Sequence, residues 1–154
     1  MYIIGELING MYKKVTAAIQ AKDKDFIKAL ARRQLEAGAD ALDVNCGPLS
    51  SDVVGDMRWL IETIQEEVEI PLSLDTTKPE AIEAGLKIAR NKAIINSTSA
   101  DLERLRIYVP LAKKYKSSLI GLTMDKSGVT QDKERRLELA AQIIAFAQEY
   151  DFPL

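Results

Sequence analysis

Carboxylates and amides recur along this chain at the points where short apolar runs end. Tyr2-Ile3-Ile4-Gly5 leads to Glu6, Ala41-Leu42 to Asp43-Val44-Asn45, and Pro71-Leu72-Ser73-Leu74 to Asp75. Ala93-Ile94-Ile95 leads to Asn96, and Ser118-Leu119-Ile120-Gly121-Leu122 to Thr123. Three of these stations carry a carboxylate and two carry an asparagine. An ionised Asp75 can accept two donors at once. Asn96 presents one donor and one acceptor. With no histidine in the chain, imidazole acid–base chemistry, Ser-His and Cys-His nucleophiles and His-ligated metals are all excluded. No metal is required by the residues that remain. Cys46 lacks a base partner and reads as a small packing residue.

The elements that must position these groups follow from periodicity. Between the runs lie stretches of helical period, so the chain reads as five strand–helix units with polar residues at each strand's carboxyl end, where parallel α/β folds bind ligands. The expected strands are 2–6, 41–45, 71–75, 93–96 and 118–123. A short helix is expected near 15–20, and a longer one over 25–37 ending at Gly38. Ser51 or Asp52 caps an amphipathic helix carrying Val53, Met57, Leu60, Ile61 and Ile64, and Pro79 sits in the first turn of the next. Pro110 should kink or divide the helix that begins near Ala100. Residues 124–130 read as a loop, and 131–150 as the last helix.

A chain of 154 residues, 47% hydrophobic and 29% charged, fits one soluble domain. The net charge of −2 gives no reason to expect a nucleic-acid partner. No apolar run is long enough to cross a membrane, the first residues lack the layout of a secretory signal, and a lone cysteine suits a reducing compartment, so a cytoplasmic location is expected. Neither a G-x-G-x-x-G nor a Walker loop is present, and polar groups top every strand. A (β/α)8 barrel therefore fits better than an open doubly wound sheet.

Several stretches resemble the pterin-binding barrel family, which holds dihydropteroate synthases and the folate domains of cobalamin-dependent methyltransferases. They are Gly38-Ala39-Asp40-Ala41-Leu42-Asp43-Val44-Asn45, Pro71-Leu72-Ser73-Leu74-Asp75-Thr76-Thr77 and Ala93-Ile94-Ile95-Asn96-Ser97. Glu6-Leu7-Ile8-Asn9-Gly10-Met11, Asn45-Cys46-Gly47-Pro48 and Gly121-Leu122-Thr123-Met124 resemble in particular its methyltetrahydrofolate:corrinoid/iron–sulfur protein methyltransferases. The synthase alternative lacks its expected loops after strands one and two.

The resemblance implies an α/β (β/α)8 TIM barrel of which residues 1–154 form the N-terminal part, β1 to α5, with only five βα units of the one domain present. It implies methyltransferase activity, moving the N5 methyl group of methyltetrahydrofolate to the cobalt of cobalamin carried by a corrinoid/iron–sulfur protein. Asp75 and Asn96 are the implied catalytic and pterin-binding residues. Glu6, Asn9, Asp43, Asn45 and Met124 join them as pterin contacts, although Glu6, Asp43 and Asn45 read equally as a buried network fixing the strand tops. Asp75 has an alternative role as a helix cap, and Met124 one as a core gap-filler. Lys13, Lys14 and Lys126 are either solvated or placed to attract a folate tail. With five units, the barrel is open at its first and fifth strands, so a homodimer or higher assembly is expected, and the chain alone should be inactive. A non-catalytic assembly unit is the reading from another class.

Overall fold

The computed structural model describes residues 1–154 as two compact units, Met1–Ile94 and Ile95–Leu154. The first contains β1 (Ile4–Asn9), α1 (Lys13–Ala21), α2 (Lys24–Glu36), β2 (Ala41–Asn45), α3 (Val53–Gln65), β3 (Leu72–Asp75) and α4 (Pro79–Leu86). Its strands lie side by side in the order β1-β2-β3, all parallel. Leu42 and Val44 of β2, and Leu72 and Leu74 of β3, are buried on one face, as are Met57, Leu60, Ile61 and Ile64 of α3 and Ile82 of α4. Alternation then sends Asp43 and Asn45, and Ser73 and Asp75, to the opposite face. The carboxyl end of this sheet is polar because the phase of the apolar residues makes it so.

Helix starts follow local chemistry. Asp23 caps α2 by accepting the Phe26 N–H, and Asp52, not Ser51, caps α3 by accepting the Gly55 N–H. Pro79 opens α4 in the first turn, where no N–H is needed. Gly38 adopts the left-handed conformation at φ 91° just past α2. Gly85 lets α4 approach its neighbours closely, since a Cβ there would lie 2.7 Å from Ile61 Cδ1 and 2.9 Å from Leu74 Cδ1.

β1 departs from expectation. It runs to Asn9 rather than ending at Glu6. Gly5 pairs with Leu42 and Ile8 with Val44, so one extra residue bulges out between them. The bulged Leu7 N–H is satisfied by Gln34 Oε1 of α2, at 2.8 Å.

The second unit contains β4, which starts at the boundary (Ile94–Ser99), α5 (Leu102–Tyr115), β5 (Ser118–Leu122), the short β6 (Met124–Asp125) and β7 (Gly128–Val129), and α6 (Lys133–Glu149). β4 and β5 are neighbours joined by α5. Leu105, Val109 and Phe146 form a buried cluster, with Leu119, Ile143 and Phe152 packed against it. One expectation is narrowed here and one fails. Pro110 lies inside α5 without dividing it, because Leu105, Val109 and Ala112 on either side are wholly buried and hold the helix through the lost hydrogen bond. Residues 124–130 are not an open loop: β6 and β7 pair antiparallel as a small hairpin.

Candidate active site

Asn9, Asn45 and Asp75 are the last residues of three adjacent strands. Asn9 is the register partner of Asn45, and the pairing of Asp43 with Ser73 carries Asn45 opposite Asp75. Two polar layers result. In the lower one, Ser73 Oγ donates to Asp43 Oδ1 at 2.7 Å, both side chains being buried. In the upper one, Asn45 Nδ2 donates to Asp75 Oδ2 at 2.6 Å. Asn45 Oδ1 in turn accepts the Gly47 N–H at 2.7 Å.

The loops above these strands are locked together by two glycines. The Gly10 N–H donates to the Asn45 carbonyl at 2.8 Å. A Cβ on Gly10 would overlap the Cys46 carbonyl, and one on Gly47, which has φ 77°, would overlap the Gly10 carbonyl. Asn9 Oδ1 accepts the Met11 N–H at 2.9 Å, shaping the first loop. Between the loops lies an open cleft of about 350 Å³, lined by Met11, Asn45, Pro48, Asp75, Thr77 and Lys78 among others. Cleft walls carrying both apolar surface and a few convergent polar groups suit a small organic ligand.

Asp75 does not cap the following helix. Lys78 occupies that N-cap position with no side-chain cap bond, and Thr76 Oγ1 accepts the Lys78 N–H at 3.3 Å. The Asp75 carboxylate is turned to Asn45 instead, half-buried in the cleft.

The other expected residues are distributed as follows. Asp43 sits in the buried lower layer, below the cleft lining. Glu6 is exposed in the middle of β1, three residues short of the strand end, because the bulge puts it out of phase; Asn9 holds the end instead. In the second unit, Asn96 lies within β4 rather than ending it, and the Asn96–Ser97 peptide is cis. Arg104 Nη2 of α5 donates to the Ser97 carbonyl at 2.8 Å. Met124 is half-buried in β6, its carbonyl accepting the Ala100 N–H at 2.9 Å. Lys126 is engaged by Glu103 at 3.1 Å and Asp101 at 3.6 Å. Its pKa is raised, first by the Glu103 hydrogen bond and then by the Asp101 charge.

Cys46 is buried, and its Sγ lies 3.8 Å from the Val53 carbonyl. Burial above all, then the Asp56 charge, pushes its thiol up to about 12. It is a packing residue with no thiolate to offer at neutral pH. No group of three or more His, Cys, Asp and Glu side chains is placed to hold a metal ion. Sequence reasoning missed Lys78, Met11 and Pro48 as cleft residues. Lys78 carried a usable signal, standing three residues after a strand-end aspartate at the mouth of a parallel sheet.

Residues 5–151 match the family of pterin-binding enzymes. The chain is 31% identical over 153 residues to the methylcorrinoid:tetrahydrofolate methyltransferase of Eubacterium limosum, covering 98% of this chain and 56% of that protein. It is 26% identical over 148 residues to the methionine synthase of Mycobacterium tuberculosis, covering 92% of this chain and 12% of that protein. The chain thus spans little more than half the length of the first relative, and its parallel strands alternate with helices as in part of a (β/α) barrel. This chain belongs to the pterin-binding enzyme family.

Proposed function

We propose that this chain supplies the pterin-binding part of a methyltransferase that exchanges a methyl group between N5 of tetrahydrofolate and a corrinoid carried on a separate protein. The observation that carries this reading is Asp75. It ends β3, is held by Asn45 at 2.6 Å, faces an open cleft, and has been left free of the capping role it could have taken. The aminopyrimidinone edge of a pterin offers adjacent N–H donors to one carboxylate, a charge-assisted and directional contact. Asn96 offers one donor and one acceptor by residue type, and its assignment to a pterin rests on the family resemblance of Ala93-Ile94-Ile95-Asn96-Ser97.

The direction expected from the sequence is from methyltetrahydrofolate to cobalt. The Eubacterium relative's name pairs a methylcorrinoid with tetrahydrofolate, and one pterin site serves transfer either way by microscopic reversibility. A corrinoid would supply a cobalt nucleophile for the methyl group. The protein's own contribution is to bind and orient the ring, so that the methyl on N5 faces the cleft mouth. The methyl–N5 bond breaks with its electron pair remaining on nitrogen, so a group that protonates or hydrogen-bonds N5 lowers the barrier. We assign that group to the part of the barrel that relatives carry beyond the matched span. The chain alone is accordingly expected to bind pterin weakly and to lack turnover.

Titration of the chain with methyltetrahydrofolate, and separately with a dihydropterin precursor plus p-aminobenzoate, tests the reading. Binding of the methylated folate, weakened in Asp75→Asn, supports it. Binding of the synthase substrates with none of the methylated folate would overturn it in favour of a dihydropteroate synthase.

A further inference from the structure

We infer that Asn45 is a positioning residue that acts through Asp75, holding its carboxylate so that Oδ1 is presented to the ligand. This rests on the pterin reading above and adds a residue to it. Both ends of the Asn45 amide are committed. Oδ1 accepts the Gly47 N–H at 2.7 Å, which determines that the other end, Nδ2, is the one facing Asp75. Nδ2 then donates to Asp75 Oδ2 at 2.6 Å. The main chain of Asn45 is fixed as well, its carbonyl accepting the Gly10 N–H at 2.8 Å. Gly10 and Gly47 approach so closely that neither could carry a Cβ without displacing the other loop.

A half-buried aspartate at a strand end has several staggered rotamers open to it. One tied oxygen removes that freedom and leaves the second oxygen for an outside donor. The layer beneath uses the same device, with Ser73 donating to Asp43 Oδ1, so the β2–β3 ladder is rigid for two residues below the cleft. The charged groups near Asp75 on these elements are Asp43, one layer down on β2, and Lys78 in the cleft wall. An amide at position 45 gives Asp75 a donor without adding a second negative charge. Asn45 Nδ2 also keeps one further hydrogen, so direct contact with the ligand is the competing role.

A double-mutant cycle on the full chain separates the two, with methyltetrahydrofolate affinity measured for wild type, Asn45→Ala, Asp75→Asn and the double variant. Asn45→Ala should weaken binding by about 3- to 10-fold in the wild-type background, towards the lower end of coupling within one hydrogen-bond network. In the Asp75→Asn background it should cost nothing further. Equal losses in both backgrounds would overturn the inference and make Asn45 a direct contact or a purely structural residue.

Asn45→Asp gives an independent readout and keeps the side chain's size if the alanine variant fails to fold. Two carboxylates at this distance cannot both ionise freely. Asp at 45 can still accept from Gly47 but can donate to Asp75 only when the pair holds a proton. Its affinity should therefore fall at about pH 8 and recover towards about pH 5, where the pair is protonated. Wild type should show no such recovery, and a variant tracking wild type at every pH would refute the role. Wild-type chain that binds no pterin at all would sink the parent reading, and this inference with it.

Discussion

At the scale of single residues, the chain separates groups that hold structure from groups that meet a ligand. Asp43 and Asp75 have the same chemistry and lie on the same face of adjacent strands, one layer apart. Burial beside Ser73 makes the first a structural acceptor, whereas the cleft makes the second available. Replacing Asp75 with Asn keeps its size and loses the charge, so pterin affinity should drop by about 1.5–3 kcal/mol, the range for a hydrogen bond to a charged group. A variant that binds normally but melts far lower would assign Asp75 to the scaffold. Lys78 is the cation in the cleft wall, Lys126 being engaged by Glu103 and Asp101. Lys78→Gln should reduce affinity for glutamate-tailed folates by about 2- to 5-fold, as for an exposed ion pair, and leave a tail-less pterin unaffected. Equal losses for both ligands would show that Lys78 does not read the tail.

Elements made some of this legible in sequence and hid the rest. β2 and β3 end where their apolar alternation ends, so Asn45 and Asp75 were readable as strand-top residues without coordinates. β1 was not readable in the same way. Its bulge adds a residue between Gly5 and Ile8 and shifts the side-chain phase, so Glu6 took the place that belongs to Asn9. Nothing local marks that bulge, because Gln34, far along the chain on α2, completes it. At Pro110 tertiary burial on both sides outweighs a local breaker, so α5 is not divided there. The hairpin at 124–129 escaped because strands of two residues carry no periodicity.

The glycine clamp permits an element-scale prediction. Gly10→Ala should destabilise the chain by about 1–3 kcal/mol through forced separation of the first two loops, read as a lower denaturation midpoint, and should weaken pterin binding with it. An alanine variant of unchanged stability and affinity would mean the loops separate freely.

Over the whole chain, helices on the first unit are tied by exposed ion pairs, and one of these titrates. Glu66 accepts from Lys24 at 2.7 Å and Lys28 at 2.8 Å. These bonds, Lys24 first, lower its pKa from 4.5 to about 2. A depressed carboxylate pKa stabilises the fold above the unfolded value, and the contribution is lost as pH falls from about 4.5 through about 2. Glu66→Gln should flatten the stability profile in that acidic window and leave its slope at neutral pH unchanged. An unaltered acid limb would mean that the pair is broken in solution.

β1 has β2 as its single strand neighbour, and β5 has β4. Tyr2 and Ile3, just before β1, and Leu7 within it are exposed. An unpaired edge beside apolar side chains favours association, and sedimentation of the chain should show a dimer or larger species; a monomer at micromolar concentration would contradict this. The face of β2 and β3 opposite their buried leucines and valine is polar at Asp43, Asn45, Ser73 and Asp75. The central claim, that this polar face binds a reduced pterin through Asp75, is tested most directly by titrating methyltetrahydrofolate into wild-type chain and the Asp75→Asn variant under the same conditions. The account predicts saturable binding to wild type and a loss of about 1.5–3 kcal/mol in the variant. Absence of binding to a folded wild-type chain, or equal affinity of the two proteins, would contradict it.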